Sequence, residues 1–145
     1  MSKRVNTNKL MPDFYAAMGK LSESVTNAPL DPKLRELIKV RVSQINGCAF
    51  CINMHTKDSR SLGETEQRLY GLNAWWDAPF YTPKEKAALA LAEEVTRLPN
   101  QRVSQAVYDE AAEELEDQEI AAVIAGAVLM NTWNRLSISA ALEPR

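Results

Sequence analysis

Glu36-Leu-Ile-Lys-Val-Arg-Val-Ser-Gln-Ile-Asn-Gly-Cys48-Ala-Phe-Cys51-Ile-Asn-Met-His55 carries one helical pattern into another across a single turn. Leu34, Leu37, Ile38, Val42 and Ile45 recur at helical spacing. Asp31-Pro32 ahead of them reads as an N-cap followed by Pro at N1, and Asn46-Gly47 as the turn that ends the helix. The next helix is expected from near Cys48 to about Leu62, before Gly63. If the two helices form an antiparallel hairpin about Asn46-Gly47, equal rise sets Glu36 level with residue 57 or so, within a turn of His55.

The same stretch holds every cysteine and histidine of the chain: two thiols three residues apart and an imidazole four residues later. At about 100° per residue, Cys48, Cys51 and His55 share an arc of ~60°, with Ile52, Ser59 and Leu62 on that side. A helix start lowers a thiol pKa from its reference of ~8.5, which favours a thiolate at Cys48. His55 can act as a base toward Cys51, one turn away. A thiolate is what attack on a peroxide or disulfide requires, and the second cysteine can then close a Cys48–Cys51 bridge. Glu36 would orient the imidazole and stabilise its charged form. Its wheel position opposes the apolar stripe of its own helix, so it reaches the site only if that second face is covered as well.

Other readings of these residues stay open on spacing alone. The cysteines could be small buried hydrophobes, or two ligands of a zinc site that a carboxylate would have to complete. His55 could be a satisfied core histidine, and Glu36 a solvated helix-face glutamate. Trp75, Trp76 and Trp133 read as core or interface anchors. Asn131 and Asn134 either satisfy buried backbone groups or line a pocket.

Outward from this centre the chain reads as helices throughout. Pro12 opens a helix to about Thr26, Thr65 caps a short one, and Trp75 to Tyr81 is an aromatic connection. Thr82-Pro83-Lys84-Glu85 is a capping box that starts a helix through Leu98. A helix follows over about 104–115, and a last one from Glu116 or Asp117 to about Ala141. Strand alternation and hairpin turns are missing. The expected class is all-α, about six to seven helices in a single domain over residues 1–145. The last helix is apolar nearly all round, which predicts burial in the core or in an interface between copies.

Composition limits the function classes. The 145 residues include 46% hydrophobic and 25% charged side chains, with a formal net charge of −2. That suits a globular domain large enough for its own core. No basic run with interleaved aromatics points to nucleic acid. The apolar run from Ile120 to Met130 is too short to span a bilayer, and no signal pattern precedes Pro12. A cytoplasmic location without membrane contact is expected. In a reducing compartment a close cysteine pair is redox-active or metal-binding rather than structural.

The quoted run resembles the AhpD-like (alkylhydroperoxidase D) branch of the carboxymuconolactone decarboxylase superfamily, with its glutamate, CxxC and histidine spacing matched at each position. The resemblance continues through Gly63-Glu-Thr-Glu-Gln-Arg-Leu and Asn131-Thr-Trp-Asn-Arg-Leu. It implies an AhpD-like helical fold in homo-oligomers, usually trimers or hexamers. It also implies a proton relay from Glu36 through His55 to Cys48 and Cys51, with thiol-dependent peroxidase or disulfide reductase activity in antioxidant defence. Neither cofactor nor metal is expected. The implied partners are a peroxide or disulfide substrate and a dithiol electron donor, such as a lipoyl or thioredoxin-type protein or a peroxiredoxin. Members that reduce a peroxiredoxin have a second histidine directly before the second cysteine, where this chain has Phe50. The rival functions are decarboxylation or lactone processing, whose branch lacks the cysteine pair, and a non-enzymatic redox sensor.

Overall fold

A computed structural model of the chain describes residues 4–145. Among them, eight α-helices follow one another: α1 (Thr7–Leu10), α2 (Pro12–Thr26), α3 (Pro32–Asn46), α4 (Ala49–Ser61), α5 (Glu66–Gly71), α6 (Pro83–Arg97), α7 (Gln105–Glu114) and α8 (Asp117–Ser139). Two 3₁₀ turns, Leu72–Ala74 and Pro99–Gln101, link them, and no strand occurs among the described residues. The architecture is all-α as expected, with one helix more than the upper count. The addition is α1, a single turn capped by the Asn6 side chain and burying no residue. It carries no apolar stripe from which a pattern could be read.

Helix α3 is the hub, packed against α4, α6 and α8. Leu37, Val40 and Val42 are fully buried on it, and Ile38 nearly so. Burying side chains of this size contributes about 1.5–3 kcal/mol each. Neighbours on several sides also bury its polar residues Glu36, Arg41 and Ser43. The second face of α3 is therefore covered, which is the condition Glu36 had to meet.

The ends of the helices follow their local chemistry. Asp31 Oδ1 accepts from Leu34 N at 3.0 Å, with Pro32 at N1. At the far end Gly47 takes a left-handed φ of 69°, Cys48 N donates to Ser43 O at 3.0 Å, and Gly47 N to Gln44 O at 3.2 Å. That pairing is a Schellman ending, and a residue without Cβ makes it inexpensive. The capping box at Thr82 and Glu85 forms in both directions. Glu85 also pairs with Arg68 at 2.5 Å, and Arg68 reaches Glu64 at 2.8 Å and the Phe80 carbonyl, so α5 and the aromatic connection are tied to α6.

The three tryptophans part company. Trp75 is buried and donates from Nε1 to Glu93, whereas Trp76 is exposed and lies beneath the Arg41 guanidinium, 5.9 Å from its ring centre. Trp133 is half-buried on α8. Asn131 and Asn134 do not reach the thiols. Asn46 Nδ2 donates to both of their Oδ1 atoms, at 3.0 and 2.9 Å, and Asn134 Nδ2 donates to Ser43 Oγ at 3.0 Å. They serve as polar locks between α3 and α8 rather than as pocket lining.

Candidate active site

The Schellman turn at Gly47 delivers Cys48 to the N-cap position of α4, where its Sγ accepts from Cys51 N at 3.3 Å. Cys48 and Cys51 are joined by a disulfide across a Cα–Cα distance of 5.3 Å, and each is 1% exposed. One helical turn later His55 is also buried. Cys48, Cys51, His55 and Glu36 are thus brought together by one helical hairpin, α3 with α4. Ser59 continues the same buried face, whereas Leu62 lies beyond the last helical residue and is exposed.

Glu36 reaches across from α3. Its Oε2 lies 2.9 Å from His55 Nδ1, and its Oε1 accepts from Lys39 Nζ at 2.7 Å. Burial acts to raise the Glu36 carboxyl. The hydrogen bonds from His55 and Lys39, with the charges of Lys39 and His55, outweigh it and hold the group below its usual 4.5. An ionised carboxylate only accepts hydrogen bonds, so His55 Nδ1 must carry the proton of this contact. In the neutral ring Nε2 is then left as the acceptor. Asp58 approaches the same Nδ1 at 3.6 Å from the solvent side. Spacing from His55 offers Asp58 as an i,i+3 neighbour, and Glu36 offers Lys39 in the same way. Neither was singled out, because both read equally well as ordinary solvated helix residues.

Cys51 and His55 line a cavity of about 380 Å³. Phe50, Leu129 and Trp133 give it apolar walls, and Lys39 adds an ammonium. Leu142, from the tail that follows α8, also lines it. Cavities of this size and character suit small organic ligands. Leu129, Trp133 and Leu142 were not foreseeable as lining, because they meet α4 only through the packing of α8 on the hairpin.

Glu36, His55 and Asp58 also bring three groups of metal-ligand type within 4.8 Å of one another. Both oxygens of Glu36 are already engaged, one by His55 and one by the Lys39 ammonium. A cation there would face that ammonium, so the donor set fits an ion poorly.

Comparison with known proteins agrees with the helical architecture. The sequence pattern of the carboxymuconolactone decarboxylase family matches residues 12–94, which include the whole α3–α4 hairpin. The uncharacterized protein YdfG of Bacillus subtilis (strain 168) is 42% identical over 139 residues, spanning 96% of this chain and 95% of that protein. A crystal structure of ATU0492 from Agrobacterium tumefaciens superposes with a TM-score of 0.93 at 31% identity, over 99% of both chains. That protein is of unknown function, and an antioxidant-defence role of the AhpD kind has been suggested for it. The debrominase Bmp8 shares the fold with a TM-score of 0.84 at 19% identity, over 96% of this chain and 75% of its own. At that distance the likeness concerns fold alone, and one fold serves several chemistries. With its hairpin, its full-length relative and its near-complete superposition taken together, the chain belongs to the carboxymuconolactone decarboxylase family, in the AhpD-like branch.

Proposed function

We propose that this protein is a dithiol peroxidase in which residues 1–145 act as one catalytic unit. The observation that carries the reading is the Cys48–Cys51 disulfide beside a cavity that Cys51 shares with His55, whose ring is bonded to Glu36. In the reduced enzyme His55 takes the Cys51 proton, and the thiolate attacks one oxygen of a hydroperoxide. The O–O bond breaks, Cys51 becomes a sulfenic acid, and the alkoxide leaves as an alcohol with the proton from His55. Cys48 then attacks the sulfenic sulfur, water leaves, and the disulfide closes. Cys51 takes the attacking role because it lines the cavity with His55. Cys48 is suited to resolving, since Cys51 N–H and the helix start favour its thiolate. Two electrons from a dithiol donor return the pair to the reduced state. Both sulfurs are almost wholly buried, so the reductant has to be slender, as a lipoyl arm is.

The test is peroxide consumption with lipoyl and thioredoxin-type donors, comparing wild type with Cys48→Ser and Cys51→Ser. Loss of turnover in both variants is expected. In wild type, mild peroxide should remove two hydrogens and join Cys48 to Cys51, as read by mass spectrometry. One oxidation per chain with every donor, without turnover, would instead establish a redox sensor. Free thiols that survive peroxide would end the redox reading altogether.

A further inference from the structure

Lys39 follows Glu36 on α3 by just under one helical turn. Its ammonium donates to Glu36 Oε1 at 2.7 Å, while the other oxygen, Oε2, meets His55 Nδ1 at 2.9 Å. One carboxylate is thus shared between a cation and the ring. The Lys39 and Glu36 side chains are only 15% and 9% exposed, so solvent screens them far less than it would an i,i+3 pair in the open. Lys39 also lines the cavity that Cys51 and His55 share, which sets its charge on the side where the proton is exchanged.

Charge balance gives this contact a part in the chemistry. With His55 neutral, the negative charge of Glu36 is offset by Lys39. Without the ammonium a buried negative charge would remain, and the least costly way to offset it is for the Glu36–His55 pair to bind a proton. The pair would then hold that proton more tightly. His55 has to take a proton from Cys51 and also hand it to the leaving oxygen, and such a group works best when its proton affinity matches the working pH. The state of Glu36 fits this balance: burial acts to raise its carboxyl, and the bonds and charges of His55 and Lys39 hold it down. Charged groups on the helices packed against α3 are engaged elsewhere or stand further off. Asp58 of α4 approaches the ring at 3.6 Å from an exposed position. Lys57 of α4 bonds the Arg145 carbonyl, Glu93 of α6 is turned to Arg41 and Arg97, and Arg135 of α8 bonds Asn131.

We propose that Lys39 is a positioning residue of this site: acting through Glu36, it lowers the proton affinity of the Glu36–His55 pair, so that His55 can release a proton as well as take one. This rests on the peroxidase reading above and names the residue that sets the working pH of the same site.

His55 is the sole histidine of the chain, so its ring signals in NMR belong to one residue. In the disulfide form neither cysteine titrates, and the ring reports the pair alone. Lys39→Met keeps the length of the side chain and removes its charge. It should move the His55 titration midpoint up by about one pH unit, or tenfold in proton affinity. Lys39→Arg should restore the wild-type midpoint. In a Glu36→Gln background Lys39→Met should produce only a small part of the shift, because the carboxylate that carries it is gone. Circular dichroism checks the fold. Lys39→Gln, which can still donate to Glu36, reads the charge alone and decides the matter if Lys39→Met does not fold. An unmoved midpoint in the folded variant would overturn the proposal and leave Lys39 an ordinary helix-face pair. An equal shift with and without the Glu36 carboxylate would overturn the route through it. Where peroxide is turned over, the rate–pH profile of Lys39→Met should move in the same direction, and an unmoved profile would also overturn the proposal. If wild type turns over no peroxide, the peroxidase reading fails, and the titration alone upholds or overturns the place of Lys39.

Discussion

An imidazole can return a proton to a leaving oxygen only if its ring is held in one orientation, and the 2.9 Å contact between His55 and Glu36 supplies that hold. Replacing His55 with Gln should slow alkylation of the reduced thiols near pH 7 by about 10²–10⁴ and move the rate–pH profile to higher pH. Glu36→Gln should act in the same direction but less strongly, because it works through the ring. The double variant should be no worse than His55→Gln, since the carboxylate has nothing left to orient. Additive effects, measured as alkylation rates from pH 6 to 10, would assign Glu36 to the fold alone. The same carboxyl makes a stability prediction. Its folded-state pKa is lowered, so its contribution is fully present above the unfolded value near 4.5 and is lost as pH falls through the folded value. Urea midpoints from pH 7 to 3 should drop below about pH 4.5 in wild type, and less steeply in Glu36→Gln. At this scale the sequence was informative about His55, because phase with two cysteines is a property of spacing. It was ambiguous about Glu36, because only the packing of other helices decides whether the far face of α3 is covered.

Helix boundaries were readable where a side chain does the capping. Asp31, Thr65, Thr82 and Ser104 each accept a bond from the backbone N–H three residues on, and the helices begin there. What joins the helices was not readable, because it depends on pairs far apart in the chain. Glu93 of α6 is the clearest case. Its Oε1 accepts from Arg41 Nε at 2.5 Å and from Trp75 Nε1 at 2.7 Å, and its Oε2 from Arg97 Nη1 at 3.0 Å. One buried carboxylate thus holds α3, the aromatic connection and α6. Removing it strands the buried Arg41 charge, so Glu93→Ala should cost about 3–5 kcal/mol in chemical denaturation. Arg97→Ala should cost under about 1 kcal/mol, since that side chain is half exposed and Arg41 keeps its partner. Comparable losses in the two variants would show that the network is not centred on Arg41.

Taken whole, the molecule leaves apolar side chains on its outside. Val128 and Ile138 of α8 are 50% and 44% exposed, and Phe14 and Leu21 of α2 are 42% and 45% exposed. The all-round apolar pattern of α8 is thus only partly used by its own chain, on faces that hold Ile120, Val123 and Ala127. Homo-oligomers with α8 near the interface are the expected outcome, and light scattering at micromolar concentration should give a multiple of the chain mass. A monomer at that concentration would rule out such an assembly. The arrangement also has an order in time. Glu36 and His55 lie 19 positions apart and meet within one hairpin, which a chain emerging from the ribosome can form early. Leu129, Trp133 and Leu142, which wall the cavity at Cys51, lie far along the chain and are made only after the hairpin. A growing chain thus carries two thiols and the neighbouring imidazole before it has the walls that enclose them. During that interval the cysteines are open to whatever oxidant is present, and their enclosure is completed only with α8.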